Sequence, residues 1–371
     1  MKLLMLVIFF AIMVSVGIYA RKHATSVDGY VLGGRSVGPW LTAFAYGTSY
    51  FSAVVFVGYA GQFGWKYGLA STWIGIGNAI IGSLLAWVVL GRRTKVMTQH
   101  LNSKTMPDFF GERYGSKALK ITASAIVFIF LVPYTASVYN GLSRLFGMAF
   151  NIPYKYCVIG MAVFTGIYVI LGGYMATAIN DFIQGIIMLG GIVAVILAVL
   201  NGQGGFIQAI KTMAEIPSDV PVTMGQPGAF TSFFGPDPLN LLGVVILTSL
   251  GTWGLPQMVQ KFYAIDNEES IKKGTIISTI FALVVSGGCY FLGGFGRLFS
   301  DKIDIATNGY DSIIPTMLEN LHPLLIALVV ILVLSASMST LSSLVIASSS
   351  TLTIDLIKDN IVKEMSDKKQ V

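Results

Sequence analysis

The stretch VLSASMSTLSSLVIASSS, residues 333–350, combines the apolar character of a membrane-spanning helix with an unusual number of hydroxyl groups. Helical spacing places several of its residues on one face. They are Ala336, Ser339, Thr340 and Ser343, with Ser342 one turn from Ser339. Hydroxyl and carbonyl oxygens are hard ligands that suit alkali and alkaline-earth ions. This face therefore predicts a small-cation site at bilayer depth.

Helix packing is a second explanation of the same hydroxyls. Ser and Thr in transmembrane helices often bond back to the carbonyl one turn earlier. Ser335, Ser339 and Ser343 also have the spacing of a small-residue packing seam. From this stretch alone, both explanations remain open.

Composition indicates a membrane protein. The chain has 371 residues, of which 54% are hydrophobic and 11% charged, whereas soluble domains carry about 25% charged residues. Mean hydropathy is +0.73. Cys157 and Cys289 lie in separate apolar runs and form neither a disulfide framework nor a metal-binding pattern. The net charge of +6 does not indicate a nucleic-acid partner, because in membrane proteins the distribution of Lys and Arg matters more than their sum.

Hydrophobic segments near the roughly 20-residue length of a membrane span recur along the chain. They lie at about 3–20, 38–62, 70–90, 121–146, 154–174, 180–200, 239–260, 275–296 and 323–350. The first lacks a cleavage pattern and is followed by Arg21 and Lys22, which favours a retained span over a signal peptide. We therefore expect an all-α polytopic membrane protein with about nine transmembrane helices.

Basic residues predict the orientation of these spans. If the N-terminus lies outside, the segments 21–37, 91–120, 261–274 and the tail after 355 are cytoplasmic, and they contain 17 of the 24 Lys and Arg residues. The positive-inside rule therefore favours an outward N-terminus.

Two predicted spans contain helix-breaking residues. FAYGTSYFSAVVFVGYAG at 44–61 mixes Gly, Ser and Thr into an apolar run, and TSLGTWGLP at 248–256 has two glycines and a proline. Carbonyls freed by such breaks are tolerated in lipid only where protein or a cavity supplies partners. Either break alone is also compatible with a packing kink. Together, five spans apart, they indicate an inverted-repeat secondary transporter with its sites at the breaks.

Short motifs follow one another along the whole chain. They are DGYVLGGRSVGPW at 28–40, GTSYFSA at 47–53, TMPDFFGERY at 105–114, PYTAS at 133–137, GGYMATAINDFIQG at 172–185, GLPQMVQKFYA at 254–264 and ASMSTLSS at 336–343. In these motifs and their order the chain resembles the sodium:solute symporter family, and within it the proline-permease-like branch.

The resemblance implies a five-plus-five inverted-repeat fold like that of the leucine transporter. We expect one transmembrane domain over 1–371. Its parts would be an extra first helix at 3–20, repeat one at 38–200, a partial repeat two at 239–350 and a cytoplasmic tail at 355–371. A ten-helix core needs two more spans after 350, so the sequence is expected to be a fragment or a truncated variant whose last helices are missing.

The resemblance also implies ion sites. The shared sodium site would use the carbonyls of Thr48, Phe51 and Ala336 and the hydroxyls of Ser339 and Thr340. A second sodium site would use Asp181, Ser339, Ser342 and Ser343. The alternative for Asp181 is a helix cap, since we place it at the start of the sixth span.

The solute pocket implied by the resemblance lies between the two breaks. Its residues would be Ser49, Tyr50, Ser52, Tyr134, Thr248, Thr252, Trp253 and Pro256. Proline carriers of the family have an aspartate at the position of Tyr50, and a tryptophan and a tyrosine at those of Thr248 and Thr252. The polar residues of the sugar-carrying branch are not present either. An amino acid such as proline is therefore only weakly preferred.

We accordingly expect a secondary active transporter that imports a small organic solute with sodium by alternating access. It would be a multi-pass plasma-membrane protein without an organic cofactor or an obligate protein partner. An enzyme is not indicated, because His23, His100 and His322 are dispersed and no nucleophile elbow or phosphate-binding loop occurs. The alternative is a symporter-like sensor domain of a signalling protein. A channel would require filter motifs that are not apparent.

Overall fold

The computed structural model describes residues 2–150, 152–362 and 365–370. Throughout these residues the regular structure is helical, and the only β-type pairing is an isolated parallel bridge between Val37 and Ile265. The α-helices, numbered in chain order, are α1 Lys2–Ala20, α2 Val27–Leu32, α3 Pro39–Tyr50, α4 Ala60–Tyr67, α5 Thr72–Gly77, α6 Arg92–His100, α7 Met106–Tyr114, α8 Lys117–Phe150, α9 Tyr154–Gly202, α10 Phe206–Ala214, α11 Pro238–Gly251, α12 Pro256–Ala264, α13 Glu268–Gly293, α14 Ile305–Asn308, α15 Ile313–Leu318, α16 Pro323–Ser350 and α17 Asp367–Gln370. The all-α prediction is confirmed.

Tighter and wider helical turns connect or extend these helices. The π-helical segments are Val54–Tyr59, Asn78–Leu85, Trp87–Gly91 and Thr351–Lys358. The 3₁₀ segments are Arg21–His23, Gly33–Arg35, Gly68–Ser71, Pro221–Thr223, Ala229–Thr231, Thr252–Gly254, Gly296–Phe299 and Tyr310–Ser312. Two of the π segments continue directly into α4 and α6. The ends of the membrane spans are therefore marked by backbone angles and not by the change of helix type.

Six helical stretches in the described residues are long and apolar enough to cross a membrane. A seventh arises if the pair 238–254 and 256–264, bent by 51°, is one span. Two of the six contain a glycine that interrupts the helix, Gly68 (φ 59°, ψ −142°) and Gly173 (φ 54°, ψ −144°). These angles are essentially restricted to glycine. Division at both glycines, with α3 joined to the helix at 54–67, gives nine crossings in the described residues. In chain order they are 3–23, 39–67, 69–100, 117–142, 154–172, 174–202, 238–264, 268–293 and 323–358.

Several helices extend beyond their predicted apolar segments. The sixth crossing begins just after Gly173 rather than at 180, and α13 begins at Glu268 rather than at 275. At the latter end, the Asn267 side chain accepts a hydrogen bond from the Ser270 amide. Such a cap, followed by acidic residues in the first turn, stabilises a polar helix start. Hydrophobicity alone therefore locates the bilayer portion but not the helix ends.

Helix α16 lies at the centre of the bundle. Every residue from 329 to 344 is buried, and α16 packs against α9, α8 and α3. By contrast α1, which packs on α9, leaves apolar side chains such as Leu3 and Ile18 exposed. A helix buried on all sides belongs in the interior of a bundle. The hydroxyl groups between residues 335 and 343 are therefore shielded from lipid by the neighbouring helices.

The segments predicted to be cytoplasmic meet at one end of the bundle. Arg35 Nη2 donates to the Ser103 carbonyl (2.6 Å), and Thr105 Oγ1 donates to Asp355 Oδ2 (2.6 Å). Nearby, Lys120 Nζ lies 2.6 Å from Asp108 Oδ1. Lys120 Nζ also contacts Asp359 (2.5 Å) and Asp355 (3.6 Å). One ammonium thus joins α7, α8 and the extension of α16 at this end.

A second ionic contact lies outside the spans. Arg297 makes two hydrogen bonds to Asp219, of 2.8 and 2.6 Å, and donates to the Trp65 carbonyl at 2.8 Å. Its guanidinium also lies over the rings of Trp65 and Phe230, at 4.4 and 4.3 Å from their centroids. The hydrogen bonds from Arg297 hold the pKa of Asp219 below its ordinary value. This contact fixes the loop at 215–237 to the bundle.

Gly173→Ala should destabilise the protein, because it places a Cβ in a glycine-only conformation. The new carbon would also lie 2.8 Å from the Tyr30 carbonyl oxygen and ring. A strained residue of this kind costs about 1–3 kcal/mol, so the apparent Tm of the purified protein should fall. Gly190→Ala is the matched control in the same helix, since no heavy atom lies within 4 Å of its added Cβ. Equal melting of the two variants would contradict the assignment of a break at Gly173.

Candidate functional site

The first predicted break occurs after α3. Helix α3 ends at Tyr50, Phe51 is extended (φ −87°, ψ 115°), and Phe51 and Ser52 are both non-helical. The last four carbonyls of a helix lack regular amide partners, and the Thr48 carbonyl is among them. The break therefore exposes backbone oxygens in the interior of the bundle, opposite α16.

Hydroxyls of α16 reach these carbonyls. Ser339 Oγ donates to the Thr48 carbonyl at 3.2 Å. Thr340 Oγ1 lies 3.3 Å from the same carbonyl and 3.2 Å from the Phe51 carbonyl. Both hydroxyls also approach the Ala336 carbonyl, at 3.0 and 3.1 Å. The structure thus brings together all five residues predicted for the shared sodium site.

This cluster has the chemistry of an alkali-ion site. It contains three carbonyl and two hydroxyl oxygens, and its residues are buried. A hydroxyl can direct a lone pair at a cation while its proton is donated to a carbonyl. The bonds to Ala336 are the back-bonds of the packing explanation, but the same hydroxyls also reach across to α3. Among the described residues, no group of three His, Cys, Asp or Glu side chains could hold a metal ion.

Asp181 lies deeper in its helix than predicted. It follows Gly173 by two turns of helix, is fully buried, and neither carboxylate oxygen accepts a hydrogen bond within the part of the chain that the structure describes. The helix-cap alternative is therefore wrong, because Asp181 is too far from the helix start. Of the serines predicted beside it, Ser343 Oγ lies 2.9 Å from Ser49 Oγ, and Ser342 Oγ donates to the Ser339 carbonyl at 3.0 Å.

Lys261 occupies the space beside this carboxylate. Its Nζ lies 3.0 Å from Ser343 Oγ, 3.9 Å from Asp181 Oδ2 and 4.9 Å from the centroid of the Tyr174 ring. The predicted cytoplasmic loop at 261–274 is wrong here, because α12 continues to Ala264 and buries Lys261 to 1% exposure. Lys261 follows Pro256, the first residue of α12, by only five residues. This short separation was the sequence signal that the lysine belongs to the helix and not to a loop.

A small cavity adjoins the first break. Its walls come from α3, the third crossing, the second break and α13. The lining residues are Tyr46, Gly47, Tyr50, Phe51, Asn78, Gly82, Ser83, Thr252, Met258, Ser278, Phe281, Ala282, Val285 and Ser286. The cavity volume is about 20 Å³, which is enough for about one water. The cavity is uncharged, and a larger ligand must displace its walls to enter.

Four of the eight predicted solute residues lie at or beside this cavity. Tyr50 and Thr252 line it. Thr248 donates to the Asn78 carbonyl oxygen Oδ1 at 3.3 Å. The Trp253 indole donates to a main-chain carbonyl of the third crossing at 2.9 Å. The second break, at Leu255 (φ −73°, ψ 119°), thus directs these side chains towards the cavity wall.

The other four lie elsewhere. Ser49 contacts Ser343 in the ion region, and Ser52 caps the helix that resumes after the break. Tyr134 packs against an apolar cluster of α8 and α16. Pro256 lines a separate small pocket with residues from the end that carries the predicted cytoplasmic segments.

Asn78 is a central residue that sequence reasoning missed. Its Nδ2 donates to the Tyr50 hydroxyl (2.7 Å) and to Ser286 Oγ (3.2 Å). Its Oδ1 accepts from Thr248 Oγ1 and from Ser249 Oγ (3.1 Å). One amide therefore joins the second, third, seventh and eighth crossings. Its signal was an isolated amide in the apolar run IGIGNAIIGS, because polar side chains at membrane depth are costly unless partnered.

Known sodium-coupled carriers are similar to this chain in sequence. A sequence model of the sodium:solute symporter family matches residues 30–371. The sodium/proline symporters of Staphylococcus aureus strains JH9 and NCTC 8325 / PS 47 are each 32% identical to this chain over 367 residues. Each match covers 96% of this chain and 68% of the relative.

A solved structure has a similar fold. A substrate-bound, outward-open structure of a Na⁺-coupled sialic acid symporter superposes with a TM-score of 0.82, covering 100% of this chain and 76% of that one. Sequence identity is 17%, so this likeness concerns the fold. It confirms the predicted leucine-transporter-like architecture.

Proposed function

The chain belongs to the sodium:solute symporter family, and from this premise we propose that it carries a small organic solute into the cell together with sodium. The observation that carries the proposal is the cluster of five buried oxygens where α16 meets the first break. Neutral oxygens at membrane depth can replace the hydration shell of an alkali ion. No observation favours the sensor alternative over transport.

In this proposal sodium is held by the carbonyls of Thr48, Phe51 and Ala336 and by the hydroxyls of Ser339 and Thr340. The ion would join α3 to α16, because its ligands come from both helices. A bound cation therefore favours the arrangement in which the break faces α16.

The solute would bind in the adjoining cavity. Phe51 supports this placement, because its carbonyl belongs to the oxygen cluster while the residue also lines the cavity. Each ligand would stabilise the same conformation of the break. Their affinities would then be reciprocally coupled, as linkage requires.

A small amino acid is the solute class that we propose, with proline as the first to test. The support is the similarity to sodium/proline symporters and the small, uncharged cavity lined by aromatic, hydroxyl and amide groups. Such a mixed lining suits a small, partly apolar ligand. The departures at Tyr50, Thr248 and Thr252 make other amino acids necessary members of the test.

Transport would proceed by alternating access in the plasma membrane, with the N-terminus outside. The end that contains Lys120 and its three carboxylates would be cytoplasmic, as the distribution of basic residues supports. We assign residues 38–200 and 239–350 to the two inverted repeats, with α1 as the extra helix. The breaks then occupy equivalent positions of the two repeats.

Uptake by proteoliposomes tests the function directly. The purified full-length gene product should accumulate at least one radiolabelled solute, from a panel led by proline, when an inward sodium gradient is applied. Replacement of the gradient by potassium should abolish accumulation. Equal uptake in both ions, or no uptake of any panel member, would contradict sodium-coupled symport of this solute class.

Thr340→Ala should weaken sodium binding by removing a hydroxyl that lies within 3.3 Å of two carbonyls of the break. We expect the sodium concentration for half-maximal binding to rise about tenfold, equivalent to about 1.4 kcal/mol. Calorimetric titration of the purified protein with NaCl gives this value. Thr340→Ser keeps the hydroxyl and should remain near wild type.

Ser348→Ala is the matched control for loss of a hydroxyl from α16, since within the described residues the Ser348 hydroxyl bonds only to carbonyls of its own helix. Its sodium affinity should be unchanged. A Thr340→Ala protein with the affinity of this control would show that the ion lies elsewhere.

Asn78→Ala should impair solute binding, because the amide positions Tyr50, Thr248 and Ser286 around the cavity. We expect the solute KM to rise at least tenfold, while sodium affinity without solute changes less than threefold. Asn240→Ala, an exposed asparagine at the start of α11, should retain the wild-type KM. An unchanged KM in Asn78→Ala would remove the cavity from the solute site.

A further inference from the structure

Lys261 and Asp181 form a charge pair in the middle of the bundle that the proposed sodium site does not use. Lys261 is 1% exposed and Asp181 0%. Their charged atoms are 3.9 Å apart, and the ammonium donates a hydrogen bond to Ser343 Oγ at 3.0 Å. The resemblance placed a second sodium among Asp181, Ser339, Ser342 and Ser343. A side-chain cation therefore stands between two of the predicted ligands.

Charge balance allows only one cation beside the Asp181 carboxylate. A buried carboxylate at membrane depth requires a compensating positive charge, and Lys261 supplies it. A sodium ion added beside Ser343 would leave an uncompensated positive charge and would lie next to the ammonium. Repulsion between like charges is strong where water is excluded. The carboxylate can be neutralised by the lysine or by an ion, but not by both.

The pair of Lys261 and Asp181 also lies close to the proposed sodium site, where it could affect the coupling of sodium to solute. Ser343 contacts Lys261 on α12 and Ser49 on α3, while Asp181 belongs to α9. Four elements thus converge within one turn of the oxygen cluster. The cation at this point is the side chain of Lys261, which belongs to α12, the helix that follows the second break.

We propose that Lys261 is a tethered cation that takes the place of a second sodium ion, so that the carrier binds and couples to a single sodium. The inference rests on the proposed function, and it specifies the number of ions used at that site. It replaces the second sodium implied by the family resemblance with an ammonium that is carried by the protein and is never released.

Sodium binding to the purified protein tests the inference without a known solute. Equilibrium binding of ²²Na⁺ should give one ion per wild-type chain, with a Hill coefficient near one. Lys261→Met removes the charge but keeps an unbranched side chain, and it should raise the stoichiometry to two. In that background Asp181→Asn should return it to one, because the vacated site has lost its carboxylate.

Lys261→Arg is the matched control, since it keeps the positive charge and should bind one sodium. Lys261→Gln provides the same comparison with a polar end and should also bind two ions, which covers the case in which Lys261→Met does not fold. Folding is followed by monodisperse elution in size-exclusion chromatography.

The outcomes separate the two proposals. Two sodium ions on the wild-type chain would overturn the role of Lys261 while leaving sodium symport intact. One ion on folded Lys261→Met or Lys261→Gln would overturn it as well, because the pair would then be a structural brace alone. Absence of sodium binding to the wild type would instead contradict the proposed function, and the inference with it.

Discussion

The carbonyl groups released where α3 stops need partners that only the protein can supply. Lipid offers no hydrogen-bond donors, and an unpartnered polar group costs several kcal/mol there. The hydroxyls of Ser339 and Thr340 meet this requirement. They can do so only if α16 lies against the break, which explains why every residue from 329 to 344 is buried. The position of α16 in turn determines where α8 and α9 pack.

Two of the groups of buried charges have different surroundings. Lys120 lies at one end of the bundle among three carboxylates, one of which, on Asp359, is partly exposed. Lys261 and Asp181 are isolated from solvent and have few other polar contacts. Buried ion pairs contribute little net stability, because desolvation offsets their attraction. The presence of such a pair between helices is therefore better explained by the role proposed for Lys261 as a tethered cation than by a contribution to folding stability.

Local signals account for what the sequence predicted well. Glycine, serine and proline interrupt apolar runs at the two breaks, and helical periodicity alone places Ser339 and Thr340 on one face. Asn78 and Lys261 were missed because their importance comes from partners distant in the chain, such as Ser286 and Ser343. A single sequence does not show which helices touch. Tyr134 and Pro256 came from the resemblance, and their contacts depend on helix rotation that motifs do not specify.

Helix α16 contacts an element beside each of the two helix breaks. Thr340 contacts the carbonyls of the first break, and Ser343, three residues later and about 4.5 Å along the axis, contacts Lys261 beyond the second. Ser343 also contacts Ser49 of α3. A shift of α16 relative to α3 must therefore change both sets of contacts at once. Contiguous packing of this kind transmits coupling when the element has two stable positions. The hydroxyl-rich face of α16 is then the common surface that contacts the lysine and the helices beside both breaks.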